Sequence, residues 1–315
     1  MKLLHFDDFR VGVLRGPRGN DEVVDVTDLL ADIPRSGPND VMRGLIERFE
    51  EYRGKLEKAA AEGKGIPLSG VRIRPPLPRP GAVVCMAVNY MEDGTLAEKP
   101  VINAFQKTPS AIIGQGDTMV LPDVPAHVFE GEAELALVIG KRASNVPAEK
   151  AKDYIFGYMN FIDGSARGLP APNNSFFQVK SRATFAPIGP FLVTADEVPD
   201  PQNLRVRLWV NGTVKQDFNT SDMAHDIPRC IEWMSSVQTL EPGDILATGT
   251  NHRGLSSLQD GDKVELEVEG MGRLAFKVQD ELKRTWGRDT RLEHKEKGLD
   301  GPYTPQLTGK YSKAG

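Results

Sequence analysis

The segment FEGEAELALVIGKR, Phe129 to Arg142, constrains the fold of this chain more than any other. Glu130, Glu132 and Glu134 stand at every second position, and the chain then runs apolar from Leu135 to Ile139. Side chains at i, i+2 and i+4 of a β-strand share one face. The row therefore aims three carboxylates to one side of a strand whose continuation reads as buried on both. A solvated face of an antiparallel sheet would accommodate such a row. Two neighbouring features point to a cleft instead. One is the LALVIG continuation; the other is YMNFIDGSARG, which puts Asp163 after an apolar run and before a Gly-rich turn. Buried carboxylates repel one another unless a cation neutralises them. An all-oxygen donor set favours hard cations such as Mg²⁺, Mn²⁺ or Ca²⁺.

Around this segment the chain reads as α+β, mainly β. RVGVLRGPRGNDEVVDVTDLL alternates like a small β-meander with a hairpin loop near Gly16 to Asn20. A helix is predicted next, with Met42, Leu45, Ile46, Phe49, Leu56 and Ala60 on one face, Asn39 or Asp40 as its cap and Gly63 as its stop. RIRPPLPRP, Arg72 to Pro80, can be neither regular helix nor central strand and marks a boundary. The expected organisation is a small N-terminal α/β domain over 1–75, a larger mixed domain over 76–287, and a tail or an arm to a neighbouring subunit over 288–315. Within the larger domain GAVVCMAVNY reads as a buried strand, Asn211-Gly212 as a type I′ hairpin turn, and Gly270 to Gly272 as a second hairpin. DIPRCIEWMSS reads as a helix with Ile227, Cys230, Ile231 and Met234 inward and Pro228 in its first turn.

Composition excludes several classes. A net charge of −5, with no basic stripe carrying interleaved aromatics, gives no nucleic-acid partner. Two cysteines, Cys85 and Cys230, are too few for a disulfide framework and are not spaced as metal ligands. No segment has the length and apolarity of a membrane span, and MKLLHFDDFR lacks the apolar core of a signal peptide. A cytoplasmic protein with no membrane partner is expected.

Taken in order, EAELALVIGKR, GYMNFIDGSARG, KSRATFAPIGPFLVT, WVNGTVKQ, LEPGDILATGT and LQDGDKVELEVEGMGRL resemble the fumarylacetoacetate hydrolase family over roughly Gly81 to Val278. The resemblance implies a mixed β-roll catalytic domain, a homodimer, and one Mg²⁺ or Mn²⁺ in a Glu/Glu/Asp site. It also implies a 1,3-dicarbonyl or 2-oxo acid as substrate. By motif match Glu132, Glu134 and Asp163 are the metal ligands, and Glu130 is left to a supporting or exposed position. The same match assigns catalytic roles to Lys180 and Arg167, as cations near the substrate, and substrate contacts to Gly249, Thr250 and Lys107. A divalent cation on the two oxygens of such a substrate would polarise the carbonyl and stabilise an enolate. Hydrolysis of an acylpyruvate, cleaving a C–C bond in the catabolism of a ring-derived compound, is the leading expectation. Decarboxylation, hydration and isomerisation use the same enolate, and a non-catalytic metal-binding dimer is a third reading.

The sequence departs from the resembled pattern at three places. Many members carry N-Y-x-x-H followed one turn later by Glu; here NYMEDGTLAEKP puts Asp93 at the His position, with Glu92 and Glu98 nearby. SARGLP has Gly168 and Pro170 where hydrolytic members often have Asp and a water-positioning Gln. After TGT the chain runs NHRGL, which brings His252 to the rim as a replacement base, with Asp93 as the other candidate and His127, just upstream in VPAHVFEGE, behind them.

Overall fold

The structure is a computed structural model that describes residues 1–16 and 19–312. Strands β1 (Lys2–Phe6), β2 (Arg10–Arg15) and β3 (Glu22–Asp25) form the expected meander, although Pro17 and Arg18 of its loop lie outside the described residues. The helical pattern forms two helices, α1 (Pro38–Glu47) and α2 (Phe49–Glu62), broken at Arg48, where φ is −116°. Of the two cap candidates Asp40 does the capping, accepting from the Ser36 and Gly37 N–H groups at 2.8 and 3.1 Å. Asn39 instead accepts from the Arg79 N–H. Strands β4 (Gly65–Pro67) and β5 (Ile73–Arg74) return the chain to β3 and β1.

Beyond the Pro-rich stretch come β6 (Val83–Met86), β7 (Ala104–Lys107), β8 (Ile112–Ile113) and β9 (Thr118–Val120). Two long strands follow, β10 (Val128–Ile139) and β11 (Ile155–Arg167), and then the short helix α3 (Phe176–Lys180) and β12 (Ala186–Thr194). β13 (Arg205–Val210) and β14 (Thr213–Asn219) make the predicted hairpin, with Asn211 at φ 51° and Gly212 at φ 80° as a type I′ turn requires. Helix α4 (Ile227–Val237) starts from an Asp226 cap and buries Ile227, Cys230, Ile231 and Met234 as its spacing predicts. β15 (Ile245–Ala247) leads to the last expected hairpin, β16 (Lys263–Val268) and β17 (Leu274–Gln279).

One sheet runs β4-β3-β2-β1-β12-β11-β10-β15-β6-β7, with β5 on β1 and β8 on β12; a second runs β14-β13-β16-β17-β9. β1 pairs with β12 through Lys2 opposite Val193 and Leu3 opposite Leu192. The segments 1–75 and 76–287 therefore share a sheet. They also share a core, in which Leu3, Val11 and Leu45 pack with Ala136, Val138 and Ile188. Asn160, in the middle of β11, ties the two sheets together. Its amide donates to the Gly189 and Gly272 carbonyls (2.7 and 3.1 Å) and its carbonyl accepts from Val268 N–H at 2.7 Å.

The C-terminal segment, expected as a tail or an arm to a neighbour, folds onto its own chain. β18 (Thr285–Trp286) pairs with β19 (Gln306–Thr308) around helix α5 (Arg291–Glu296), which carries a Thr290–Glu293 capping box. The reason is electrostatic: Arg288 finds Asp262, and Arg291 finds Glu130, both acids buried in the same chain. No helix among the described residues is long and apolar enough to cross a membrane.

Two outcomes follow from this core. Asn160→Leu strands the Val268 N–H and two carbonyls, and is expected to lower stability by about 2–4 kcal/mol, read as a lower urea midpoint at unchanged m. His5, fully buried with Nε2 lacking a hydrogen-bond partner, has its pKa pulled by burial down to about 4. The folded state then binds the His5 proton less readily than the unfolded chain. Stability is fully present above the ordinary histidine value and falls as pH drops from about 6.5 toward 4, by roughly 3 kcal/mol in all. Denaturant titrations across that range should show the slope in the wild type and a shallower one in His5→Leu.

Candidate metal centre

The antiparallel ladder of β10 and β11 sets Glu132 directly opposite Asp163. Glu134 lies two residues on from Glu132, so all three carboxylates project from one face of the paired strands. Each offers an oxygen within 4.8 Å of the others, and all three residues are buried. Like charges directly opposite each other destabilise a sheet, so this register exists only because cations converge on it. The turn expected after Asp163 does not form there: β11 continues to Arg167, and Asp163, Ser165 and Arg167 alternate along the same face. Ser165 Oγ donates to Glu132 Oε1 at 3.2 Å.

The cations come from separate elements. Lys180, the last residue of the Ser175-capped helix α3, is buried and bonds Glu132 Oε1 at 2.7 Å and Asp163 Oδ2. Arg167 Nη2 also bonds Glu132 Oε1, and its Nε donates to Glu130 Oε2 at 3.1 Å. Lys107, at the end of β7, gives its three N–H groups to Asp163 Oδ1 (2.6 Å), the Gly164 carbonyl (3.0 Å) and the Lys180 carbonyl (2.5 Å). That leaves Lys107 no donor for a substrate, contrary to the expected substrate contact; it backs Asp163 from inside the protein. Burial pulls the ammonium groups of Lys107 and Lys180 below the usual lysine value, against the attraction of Asp163.

Glu134 is different from its neighbours. Its Oε2 accepts from the Gly249 N–H at 2.7 Å, while its Oε1 is buried with no hydrogen-bond partner. Burial, with the Asp163 charge behind it, pushes the carboxyl well above the usual glutamate range. An orphaned, buried carboxylate oxygen beside two further carboxylates is a donor set that fits a hard divalent cation. Glu132, Glu134 and Asp163 are the residues that would hold it.

The TGT loop, expected to bind substrate, first serves the protein. Gly249 at φ 89° turns its N–H onto Glu134, and the Thr250 hydroxyl donates to the Ala133 carbonyl while accepting from Gln216 Nε2. At the rim, His252 Nδ1 lies 2.7 Å from Glu92 Oε1, and the His252 N–H donates to Glu92 Oε2 at 2.9 Å. Asp93 accepts from Arg253 Nη1 (3.0 Å) and Asn251 Nδ2 (3.1 Å), so its carboxylate fastens the two loops to each other. Burial raises its pKa, with Arg253 opposing. Glu92, Asp93 and Gly94 are three successive residues at positive φ, a conformation costing non-glycine residues about 1–2 kcal/mol each. Gly168 also has positive φ, 64°, and a Cβ there would lie 2.5 Å from His127 Nδ1, so a side chain at this position would require a strained backbone and a displaced His127 ring.

Of the two positions expected for Glu130, the structure gives it the supporting one and not the exposed one: burial alone would raise its pKa, but Arg291 and then Arg167 hold it below the usual range. One participant escapes the sequence reading. Arg291 comes from the segment expected to be a tail, and nothing in the sequence pointed to it.

Because Glu134 lacks a partner for Oε1, a divalent cation should stabilise the fold. Mn²⁺ at a hundredfold excess over its Kd is expected to raise Tm by roughly 4 °C, and EDTA to reverse the rise. Glu134→Gln should abolish the response; a wild-type Tm indifferent to Mn²⁺ would count against the site.

Comparison with known proteins agrees with this geometry. The profile of the fumarylacetoacetate (FAA) hydrolase C-terminal family matches residues 82–279. Maleylpyruvate hydrolase of Aquipseudomonas alcaligenes is 33% identical over 294 residues, covering 88% of this chain and 99% of that protein. The mitochondrial oxaloacetate tautomerase of Rattus norvegicus is 33% identical over 287 residues, 87% of this chain and 88% of that protein. The crystal structure of maleylpyruvate hydrolase from Sphingobium sp. SYK-6, in complex with manganese(II) and pyruvate, superposes with a TM-score of 0.79 at 38% identity, covering 89% of this chain and 99% of that one. The matched profile takes in the β10–β11 carboxylates, Lys180 and the TGT loop, and the chain belongs to the fumarylacetoacetate hydrolase family.

Proposed function

We propose that the chain is a divalent-metal-dependent hydrolase that cleaves the C–C bond of a 1,3-dicarbonyl acid of the acylpyruvate class. The observation that carries this reading is the His252–Glu92 pair. Glu92, its side chain only 12% exposed, accepts from His252 Nδ1, which leaves Nε2 as the basic nitrogen. A histidine oriented by a carboxylate is the arrangement that draws a proton from water near neutral pH. It supplies the base that Asp93 does not, since the Asp93 carboxylate is engaged by Arg253 and Asn251. The match to maleylpyruvate hydrolase over nearly its whole length supports the same class.

In this reading Glu132, Glu134 and Asp163 would hold a Mg²⁺ or Mn²⁺ ion, which would supply Lewis-acid polarisation of the 2-oxo acid. His252 takes a proton from water, whose oxygen bonds the acyl carbonyl carbon. The C–C bond then breaks, its electron pair leaves with the pyruvate half as the enolate, and the proton returns to that carbon. Lys180 and Arg167, whose donors meet at Glu132 Oε1, are assigned to the anionic oxygens of the substrate. The carboxylates are mounted on paired strands, whereas the base is mounted on two loops, one of them with Glu92 to Gly94 at positive φ; the loops are held together by Glu92, Asp93 and Arg253.

A tautomerase is the second reading, favoured by the similarity to oxaloacetate tautomerase, because proton transfer alone needs no attacking water. The two separate in H₂¹⁸O. Hydrolysis yields two acids with ¹⁸O in the acyl carboxylate, while tautomerisation changes the enol absorbance and leaves the carbon skeleton whole. We expect two acids, dependent on metal. Glu92→Gln and His252→Gln should each lower kcat by about 10²-fold with Mn²⁺ affinity unchanged. Unaltered kcat in both variants would remove the pair from the chemistry.

A further inference from the structure

The segment after residue 279 lies outside the matched family span, yet it delivers a guanidinium to the carboxylate cluster. Arg291 places Nε 2.9 Å from Glu130 Oε1 and Nη2 2.5 Å from Glu130 Oε2, a two-point fork on a buried carboxylate. Its position is fixed from several sides. The Arg291 and Leu292 N–H groups donate to the Leu255 and Arg253 carbonyls at 2.8 and 2.9 Å. Arg288 pairs with Asp262, Lys215 Nζ bonds the Arg288 carbonyl, and the Tyr303 ring lies under the Arg291 guanidinium at 5.0 Å.

We propose that Arg291 is a positioning residue that occupies Glu130 so that Arg167 stays directed at the metal centre and available to an anionic 2-oxo acid. Arg167 is shared: its Nε reaches Glu130 while its Nη2 reaches Glu132. Because the Arg291 fork covers both oxygens of Glu130, Arg167 is left a side contact there. Without Arg291, a buried Glu130 would draw Arg167 into its own two-point pair, since an under-paired buried carboxylate is costly. A cation on Glu132 would compete with Arg167 for Oε1, leaving the guanidinium to turn either to an incoming anion or to Glu130. Arg291 decides between them. The inference rests on reading Glu132, Glu134 and Asp163 as a metal centre that accepts a 2-oxo acid, but it does not depend on hydrolysis.

The test is oxalate binding to the Mn²⁺-loaded full chain by calorimetry, with Mn²⁺ affinity measured separately by electron paramagnetic resonance and folding followed by circular dichroism. Arg291→Met is expected to weaken oxalate by about tenfold while Mn²⁺ affinity stays within about threefold. Arg291→Lys, which keeps the charge and loses the fork, should still bind oxalate more weakly than the wild type. Glu130→Gln combined with Arg291→Met removes the competing carboxylate and should restore oxalate affinity to within about threefold. Wild-type affinity in Arg291→Met or Arg291→Lys overturns the proposal, as does a double variant no better than Arg291→Met. Parallel loss of Mn²⁺ affinity or of folding in both the single and the double variants makes Arg291 a structural prop and overturns it too. Failure of the wild type to bind oxalate overturns it as well, because Arg167 then serves no anion. Oxalate binding with no acylpyruvate turnover removes only the hydrolase reading.

Discussion

Everything in this molecule is arranged around one unfavourable contact, Glu132 directly across the β10–β11 ladder from Asp163. An antiparallel sheet brings such a pair within a few ångströms, and the next inward residue, Glu134, adds a third charge. The protein offsets this with the buried Lys107 of β7 and Lys180 of α3 and the half-buried Arg167 of β11, while Arg291 of α5 pairs with the adjoining Glu130. Each must be desolvated to reach the cluster, so each is surrounded by acceptors or rings: the Phe105 ring lies 5.1 Å from Lys180 Nζ. The Glu134 Oε1 atom is left without a partner, and that residual imbalance is what fits the cluster to a divalent cation.

Rigidity is distributed according to task. The carboxylates stand on the two longest strands, buried throughout the twelve residues of β10 and locked between sheets by Asn160. The rim is built from loops, with Glu92 to Gly94 at positive φ and the 251–253 turn bonded to them side chain by side chain. Such conformations persist only where surrounding contacts over-determine them. A strand-mounted carboxylate cluster with a loop-mounted histidine suits a family whose members include a maleylpyruvate hydrolase and an oxaloacetate tautomerase.

The C-terminal segment shows how an accessory stretch becomes part of a site. Its backbone is stitched to residues 253–257 and its Arg288 and Arg291 satisfy acids of the larger domain. Composition made it read as a tail because charged, Gly- and Pro-rich chain without its own core is the signature of disorder. What composition hides is that the complementary acids, Glu130 and Asp262, are buried elsewhere in the same chain and need those arginines.

The residue order alone determined the parts of this protein that depend on local periodicity. Alternation placed Glu130, Glu132 and Glu134 on one face, Asn211-Gly212 set a hairpin, and the spacing of Ile227, Cys230, Ile231 and Met234 set the buried face of α4. Ordered motifs carried the family, and with it the expected ligand trio. Where local signals competed, the reading slipped: Gly164 suggested a turn after Asp163, but pairing with β10 carried the strand on to Arg167. Contacts between distant segments were decided only by the tertiary structure, because a side chain's partner is set by where the sheets bring it and not by its neighbours in sequence. That is why Lys107 turned out to back Asp163, why the Asp93 carboxylate went to Arg253 and Asn251 while Glu92 took His252, and why Glu130, left between a supporting and an exposed position, became the anchor for an arginine 161 residues away.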